Sequence, residues 1–242
     1  MHELNRYNIF SYSENAILIQ WPSTISATLH QDIISIGQQI SRLSPWFIEQ
    51  VCSYHSILIY YRFEAISASE FSQKIEAIIQ RFSGNEKVCE VGRKITIDVL
   101  YDEETGWDNQ LLCQMKGCSL QEIINWHTKR TYRAYALGFT PGFCYLASVD
   151  EKLFVPRKTV PRKKVPAGAV AIAHKQTAIY PDASPGGWHI IGQTAQPMYQ
   201  MSNNEFQPLI NVGDIVTFRS IDKETFLAQG GEVVKENLNA SN

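Results

Sequence analysis

The first part of the chain carries apolar residues at two kinds of spacing. Intervals of three and four residues recur over residues 29–43 and 67–82, which places the apolar side chains on one face of a helix in each segment. Short apolar runs occupy residues 16–21 and two stretches within residues 47–61. Runs of this length, rich in isoleucine, valine and aromatic residues, predict one strand in the first segment and two in the second.

The order of these elements predicts a fold. Residues 87–101 alternate apolar and polar positions, which predicts a long strand after the second helix. Strand, helix, two strands, helix and strand is the order of a ferredoxin-like sheet. We therefore expect an α+β protein in which residues 1–95 form a small ferredoxin-like α/β domain. Residues 7–12 would add a leading strand, paired with residues 16–21 in a hairpin.

The rest of the chain has a different pattern. Ser119 and Glu122 have the spacing of a capping box and open a short helix that runs toward His127, which we interpret as a structural residue. From residue 134 onward, proline and glycine interrupt β-prone runs every few residues. Many short strands separated by turns predict a closed barrel or a sandwich for residues 96–242.

Composition excludes several classes of protein. The 242 residues are 44% hydrophobic with a formal net charge of -2, so the chain can bury a large core but has no overall field to hold a nucleic acid. No apolar run approaches the ~18 residues that span a membrane, and the first residues do not resemble a signal peptide. The five cysteines include no CxxC pair, so we expect no disulfide framework, no metal site and a cytoplasmic location.

One basic segment, VPRKTVPRKKVPAG, has proline at positions 156, 161 and 166. Proline at this spacing forbids a helix and an interior strand, so the segment is predicted to be an extended ribbon. The guanidinium forks of Arg157 and Arg162 suit a carboxylate or a phosphate, and both can reach one anion only if the ribbon bends. Lys158, Lys163 and Lys164 are interpreted as solvated charge. A surface role in solubility remains the alternative for both arginines.

Two glycine-containing motifs are further candidates. In SPGGWH, Gly186 and Gly187 could turn successive N–H groups toward one anion, with Ser184 and His189 on either side; the alternative is a tight turn anchored by Trp188. In GFTPGF, two aromatic residues could form the floor of a ligand site, or they could be core residues at a strand corner. The general signatures of nucleotide-binding loops, serine hydrolases and zinc proteases are absent.

Four motifs together resemble the KipI / allophanate hydrolase subunit 1 family: GFTPGFCYL, VPRKTVPRKKVPAGAVAIA, QTAIYP and SPGGWHIIGQT. The resemblance extends in weaker form over nearly all of the chain and implies a cyclophilin-like β-barrel for residues 96–242. Two departures stand out, because the family has glycine where this chain has His174 and Ala178. If the backbone takes a positive φ at either position, the residue there is strained.

The resemblance also implies a function. Members of the family include one component of ATP-dependent 5-oxoprolinase, which opens 5-oxo-L-proline to L-glutamate at the expense of ATP, with Mg²⁺ as a companion of the nucleotide. The implied partners are the enzyme's A component and its C component, a homologue of this chain that is similar to allophanate hydrolase subunit 2. A KipI-like inhibitor that binds a sensor histidine kinase is one alternative. A carboxyltransferase component of a urea amidolyase-type system is the other.

The candidate site follows the densest motifs and is meant for a small anionic substrate. The candidate catalytic residues are Arg157, Arg162, Ser184 and His189. The candidate substrate-binding residues are Phe139, Pro141, Gly142, Phe143, Gln176, Thr177, Tyr180, Gly186, Gly187 and Trp188.

Overall fold

The computed structural model of the chain describes residues 4, 6–22, 25–82 and 92–236. The chain divides into two compact units, Met1–Gly92 and Arg93–Asn242. The predicted helix stop at residues 83–85 and the beginning of the predicted strand at residues 87–91 lie outside the described residues. In the part of the chain that is described, no helix has the length and apolar character to cross a membrane.

The first unit is a four-stranded antiparallel sheet with two helices. Its elements are β1 (Asn8–Ser13), β2 (Ala16–Gln20), α1 (Ala27–Ile40), β3 (Phe47–Cys52), β4 (Ser56–Tyr61) and α2 (Ala68–Arg81). Each helix begins where the sequence supplies a cap: Ser26 accepts a hydrogen bond from the Leu29 amide, and Ser67 with Glu70 forms a complete capping box. The predicted helices and the leading hairpin are therefore confirmed.

One face of this sheet is buried against the helices. The fully buried side chains of β2 and β4 alternate along each strand and pack with Ile33 and Ile36 of α1 and Phe71 and Ile75 of α2; they are Ile17, Ile19, Ile57 and Ile59. This is the alternation that a half-buried strand requires, and it matches the helical period of the packed face. The apolar pattern of residues 16–82 is thus explained by one core.

The ferredoxin-like prediction is not confirmed. The sheet order is β1-β2-β4-β3, so β4 lies between β2 and β3 as in a split βαβ arrangement. The fourth strand, however, is the hairpin partner β1, and the strand after α2 is not part of this sheet. That strand, β5 (Lys94–Leu100), belongs to the second unit, because its backbone partners lie there.

The second unit is built around a closed barrel. Besides β5, its elements are α3 (Asn109–Lys116), α4 (Leu120–Thr128), β6 (Thr131–Leu137), β7 (Cys144–Ala147), β8 (Arg162–Val165), β9 (Ala169–Ala173), β10 (Gln176–Ile179), β11 (Ser184–Gly186), β12 (His189–Gln193), β13 (Tyr199–Ser202), β14 (Glu205–Pro208), β15 (Ile215–Ile221) and α5 (Lys223–Ala228). The barrel order is β10-β7-β6-β15-β5-β12-β9, closed by pairing of β9 with β10. The predicted barrel is confirmed in this general form.

The two faces of the barrel wall have different residues. The interior is filled by a cluster to which all seven strands contribute, including Ile97, Val170 and Phe218. On β9 the large residues Val170 and Ile172 point to this cluster, whereas the intervening alanines belong to a second cluster on the outer face. Because alanine side chains are short, other groups can approach the outer face closely. That second cluster forms the base of the candidate site.

A separate two-stranded ribbon covers part of this outer face. It consists of β8, from the proline-rich segment, and β11, which pair with each other and with no barrel strand among the described residues. The prediction of an extended, non-interior ribbon is confirmed. The position of β8 brings the basic segment to the same side of the barrel as the SPGGWH motif.

Candidate active site

A pocket of ≈ 260 Å³ opens on the outer face of the barrel. Four segments that are distant in sequence form it: the β6–β7 turn, the residues before β8, the end of β10 and the β11–β12 turn. Its lining consists of Phe139, Phe143, Tyr145, Arg157, Lys158, Pro161, Tyr180, Pro185, Gly186, Gly187 and Trp188. Seven of the residues that we selected from the sequence line this one cavity.

An aromatic cluster forms the inner wall of the pocket. Phe143 lies at its centre, with its ring centroid 5.4 Å from that of Tyr180 and 5.9 Å from that of Trp188, both edge to face. These three residues are almost fully buried and rest on the alanines of the outer barrel face. Edge-to-face contacts fix the rings against one another. The wall is therefore rigid and apolar.

Phe139 stands at the mouth of the pocket in a strained conformation. Its φ is +76°, and its side chain is 61% exposed while it contacts the rings of Phe143 and Tyr180 edge to face. A phenylalanine with positive φ costs roughly 1–3 kcal/mol, and such strain concentrates at functional sites. Gly142, at φ +83°, closes the same turn where a Cβ would crowd Tyr199. Pro141 is exposed beside it.

Two cations line the pocket, Arg157 and Lys158, and Arg157 is the one that no carboxylate pairs with in the described part of the chain. Its guanidinium carbon lies 5.7 Å from the centroid of the Trp188 ring, a distance at which the cation is attracted to the ring face. The side chain is exposed, and within the described ranges of the chain no hydrogen bond or ion pair occupies it. Its donors therefore remain available to an anion in the pocket.

Arg162 is engaged elsewhere. Its Nη1 and Nη2 atoms donate to the two carboxylate oxygens of Asp108 at 2.8 and 2.9 Å, and its Nε donates to Glu236 at 2.5 Å. The guanidinium also lies over the Trp107 ring at 5.4 Å. The expectation that both arginines face one anion is thus corrected: the ribbon directs Arg157 into the pocket and Arg162 toward Asp108.

Asp108 is the main residue that the sequence did not reveal. Its carboxylate is 2% exposed and also accepts hydrogen bonds from Lys158 Nζ at 2.7 Å and from the Ile190 amide at 2.8 Å. Burial would raise its pKa, but the hydrogen bonds from Arg162 and Lys158 outweigh burial and lower it. Asp108 is therefore ionised and fixes the ribbon to the barrel. The interpretation of Lys158 as solvated charge was wrong.

The two glycines of SPGGWH do not form the predicted nest. Neither Gly186 nor Gly187 has a positive φ, and Gly186 is the last residue of β11. A Cβ at Gly186 would overlap the Tyr180 hydroxyl, so this position requires glycine for space. The carbonyl of Gly187 accepts the Lys158 amide at 2.8 Å and ties the ribbon to the turn. Both glycines shape the pocket by their small size.

Ser184 and His189 are not arranged as a nucleophile and its base. His189 Nε2 donates to the Pro156 carbonyl at 3.0 Å, and its Nδ1 faces Asp108 at 4.0 Å. Burial, the largest influence, lowers the pKa of His189, although nearby Asp108 acts in the opposite direction. The Ser184 hydroxyl is buried without a hydrogen-bond partner among the described residues. Within the described residues, no contact joins the side chains of Ser184 and His189. A nucleophilic role for the pair therefore has no geometric support.

Thr177 belongs to the barrel interior and not to the pocket. It is fully buried, and its hydroxyl donates to the Ala171 carbonyl at 3.0 Å, which leaves its oxygen to accept from His127 Nε2 at 2.9 Å. His127 Nδ1 then accepts from the Tyr101 hydroxyl at 2.7 Å. Burial lowers the pKa of His127 to about 3, so the ring is neutral. The structural interpretation of His127 is confirmed.

His174 and Gln176 lie at the β9–β10 turn. Gln176 begins β10 and is half-buried outside the pocket lining. His174 has φ +52° and is exposed, so the positive φ considered for this position is present. Ala178 lies within β10 at an ordinary φ. Of the two departures from the family, only His174 is strained.

Comparison with known proteins gives a consistent assignment. A family model described as "Carboxyltransferase domain, subdomain C and D" matches residues 7–209. A Bacillus subtilis protein named as the B subunit of 5-oxoprolinase is 31% identical over 92% of this chain and 96% of its own length. The protein of the same name from Haemophilus influenzae is 32% identical over 87% of this chain and 96% of its own length.

Solved structures share the fold. The crystal structure of TTHA0988 has a TM-score of 0.75 and 29% identity, and the match covers 91% of this chain but 41% of the TTHA0988 chain. The Kluyveromyces lactis urea carboxylase has a TM-score of 0.72 over 92% of this chain and 22% of its own, at 13% identity. At that identity the likeness concerns the fold alone.

Proposed function

The chain belongs to the family of carboxyltransferase domains, subdomains C and D, and on this premise we propose that it is the B component of an ATP-dependent 5-oxoprolinase. The observation that carries the proposal is the near full-length similarity to two proteins named as the B subunit of that enzyme. In this role the chain helps to hydrolyse 5-oxo-L-proline to L-glutamate. It would do so as one component of a hydrolase complex.

The pocket suits the substrate of this reaction. 5-Oxo-L-proline is a small ring with one carboxylate, and the pocket offers a rigid aromatic wall beside the available guanidinium of Arg157. We assign Arg157 to the substrate carboxylate and the rings of Phe143, Tyr180 and Trp188 to the apolar face of the lactam. Phe139 would close over the bound ring from the mouth of the pocket.

The chemistry needs an input of energy, since the amide of a five-membered lactam is a poor electrophile. Cleavage of ATP would supply that activation, and the negative charge that develops during the reaction would be stabilised by cationic groups. A volume of ≈ 260 Å³ is small for a nucleotide, because pockets for drug-sized ligands measure about 300–1,000 Å³. We therefore assign ATP, with Mg²⁺, to another part of the complex.

The roles of the other residues and components follow from assigning the substrate to the pocket and ATP to another part of the complex. Arg162 is a positioning residue in our proposal, because it acts on the ribbon through Asp108. The complex would contain the homologous C component and the A component, and the isolated chain would be inactive. A cytoplasmic location stays a prediction, as do the contributions of Pro141, Gly142, Gln176, Ser184 and His189.

Substitution of Arg157 tests the proposal directly. In the complex reconstituted with the A and C components, Arg157→Ala should lower kcat/KM for 5-oxoproline about 10- to 100-fold, the usual loss for one charge-assisted contact. Glutamate formed with and without ATP is the measurement. Lys164→Ala is the matched control, because this exposed cation of the same ribbon does not line the pocket.

The outcomes separate two levels of the proposal. Equal turnover of the Arg157 and Lys164 variants would remove Arg157 from the substrate site while leaving the role of the chain in the complex intact. Absence of any ATP-dependent glutamate formation by the complete complex would overturn that role itself.

The alternative as a kinase inhibitor has less support. It relied on three exposed aromatic residues, but Phe143 is 2% exposed, Tyr145 is half-buried, and Phe139 alone projects into solvent. The carboxyltransferase alternative relates to urea carboxylase only through the fold, at 13% identity. Neither alternative is favoured by a feature of the pocket.

A further inference from the structure

We propose that Arg162 and Trp107 form a second anion subsite beside the pocket, and that the chain's own Glu236 occupies it in this structure. Glu236 Oε1 accepts from Arg162 Nε at 2.5 Å, and the neighbouring Val234 carbonyl accepts from Trp107 Nε1 at 2.9 Å. These contacts place the segment of residues 232–236 across the guanidinium and the indole. The ligand class is a carboxylate or a phosphate group.

The donor pattern of Arg162 supports this assignment. A guanidinium has five N–H donors, of which Asp108 uses one on Nη1 and one on Nη2. Without Glu236, the Nε donor and the remaining hydrogen on the adjacent Nη would face outward as a side-on fork. Such a fork binds two oxygens of one carboxylate or phosphate. Asp108 is 2% exposed and fixes the orientation of the fork before a ligand arrives.

The segment that covers this fork is weakly held. No residue from 232 to 236 is buried, and Glu236 is 31% exposed in its ion pair with Arg162. The third contact joins Glu104 to Lys235, whose side chain is 75% exposed. The Lys235–Glu104 pair is largely exposed and contributes little, and a segment in which no residue is buried opens readily, so the half-buried pair of Glu236 with Arg162 is its main attachment. An anion in solution can therefore compete with Glu236 for Arg162.

The second subsite and the pocket are adjacent. Lys158 lines the pocket and also donates to Asp108, the residue that orients Arg162. Trp107 packs against the aromatic cluster that contains Phe143, Tyr180 and Trp188. The inference does not depend on the reaction assigned above, since it concerns binding of an anion to the chain alone.

The test compares anion affinity in two charge-removing variants. Titration calorimetry of the full chain with inorganic phosphate, and separately with acetate, would be performed on the parent, Glu236→Gln and Glu232→Gln. Glu232 is the control because it is an exposed glutamate of the same segment. Glu236→Gln should bind at least one of the two anions about tenfold more tightly, because the fraction of chains with an open fork rises. The control should match the parent.

Phosphate and acetate distinguish the two ligand chemistries, and a second measurement tests whether a bound anion displaces Glu236 from Arg162. A gain for phosphate alone indicates a phosphate site, and a gain for acetate indicates a carboxylate site. Equal affinities in all three proteins for both anions would overturn the proposal. Because coupling is reciprocal, a saturating anion should also release the segment and accelerate tryptic cleavage after Lys235 in the parent. An unchanged cleavage rate would equally count against it.

Discussion

The interior of the barrel and the pocket on its outer face both place polar groups next to aromatic rings, but they use them differently. Inside, Tyr101, His127 and Thr177 pass hydrogen bonds in one direction to a backbone carbonyl, so every donor is used. Outside, Arg157 keeps its donors, Phe139 is strained and the Ser184 hydroxyl has no partner among the described residues. A satisfied network adds specificity to the fold, whereas unused donors and strain indicate a place for a ligand.

The largest effect is expected when the charged cluster of Asp108, Lys158 and Arg162 is broken. Asp108→Asn removes the charge that Arg162 and Lys158 share at a position 2% exposed, and loss of one partner in a buried ion pair costs about 3–5 kcal/mol. Urea unfolding of the full chain measures it. Asp150→Asn is the control, because its pair with Arg130 is far more accessible, with side chains 29% and 46% exposed, and it should cost about 0–1 kcal/mol. Equal losses would show that the cluster does not stabilise the ribbon.

The next largest effect is a loss of stability at acidic pH that arises from His127 in the barrel interior. Burial lowers the pKa of His127 to about 3, so between that value and the ordinary ~6.5 the unfolded chain binds a proton that the folded chain excludes. The free energy of unfolding should therefore fall as the pH falls below ~6.5, by about 1.4 kcal/mol per pH unit from this group.

The measurement for this prediction is a series of urea unfolding curves from about pH 7 to about pH 5. In His127→Gln the contribution to the slope disappears, although the variant is less stable at every pH because its hydrogen bonds change. Parallel plots for the parent and the variant would contradict a neutral, buried His127.

The smallest expected effect is a gain in stability, and it distinguishes backbone strain at Phe139 from the packing of its ring. Phe139→Gly removes an L side chain from φ +76°, so we expect a net gain in stability of about 1 kcal/mol together with weaker binding of 5-oxoproline. Phe206 is the control, being 41% exposed on β14 at an ordinary φ, and Phe206→Gly should instead lose about 0.5–1 kcal/mol. If both variants lose stability, the strain at Phe139 is not significant.

The sequence predicted those features whose cause is local. The periodic apolar residues of α1 and α2, and the serine caps at Ser67 and Ser119, lie within a few residues of the structure they specify. The pairing of β5 could not be read in this way, because its partner β15 lies about half a chain away and both strands have similar patterns. For that reason the strand after α2 was assigned to the wrong sheet.

The same limit applies to the site. Motif density selected Arg157 and Trp188, which meet in the pocket. Asp108 has no such signal, because its partners are 50, 54 and 82 residues away along the chain. A single aspartate in an acidic stretch looks solvated until those partners are known. The nest predicted at Gly186 failed for a related reason, since the need for glycine comes from Tyr180.

The parallel pairing of β5 with β15 has a consequence for biosynthesis. Residues 121 positions apart are neighbours across this pair, so the wall of the barrel stays open until Ile215–Ile221 has left the ribosome. The strands of the first unit pair within residues 8–61, and that unit can fold much earlier. A nascent chain therefore carries an incomplete barrel with unpaired strand edges while the residues between β5 and β15 are synthesised. This interval is where chaperones or an early-binding partner protein would protect the growing polypeptide from aggregation.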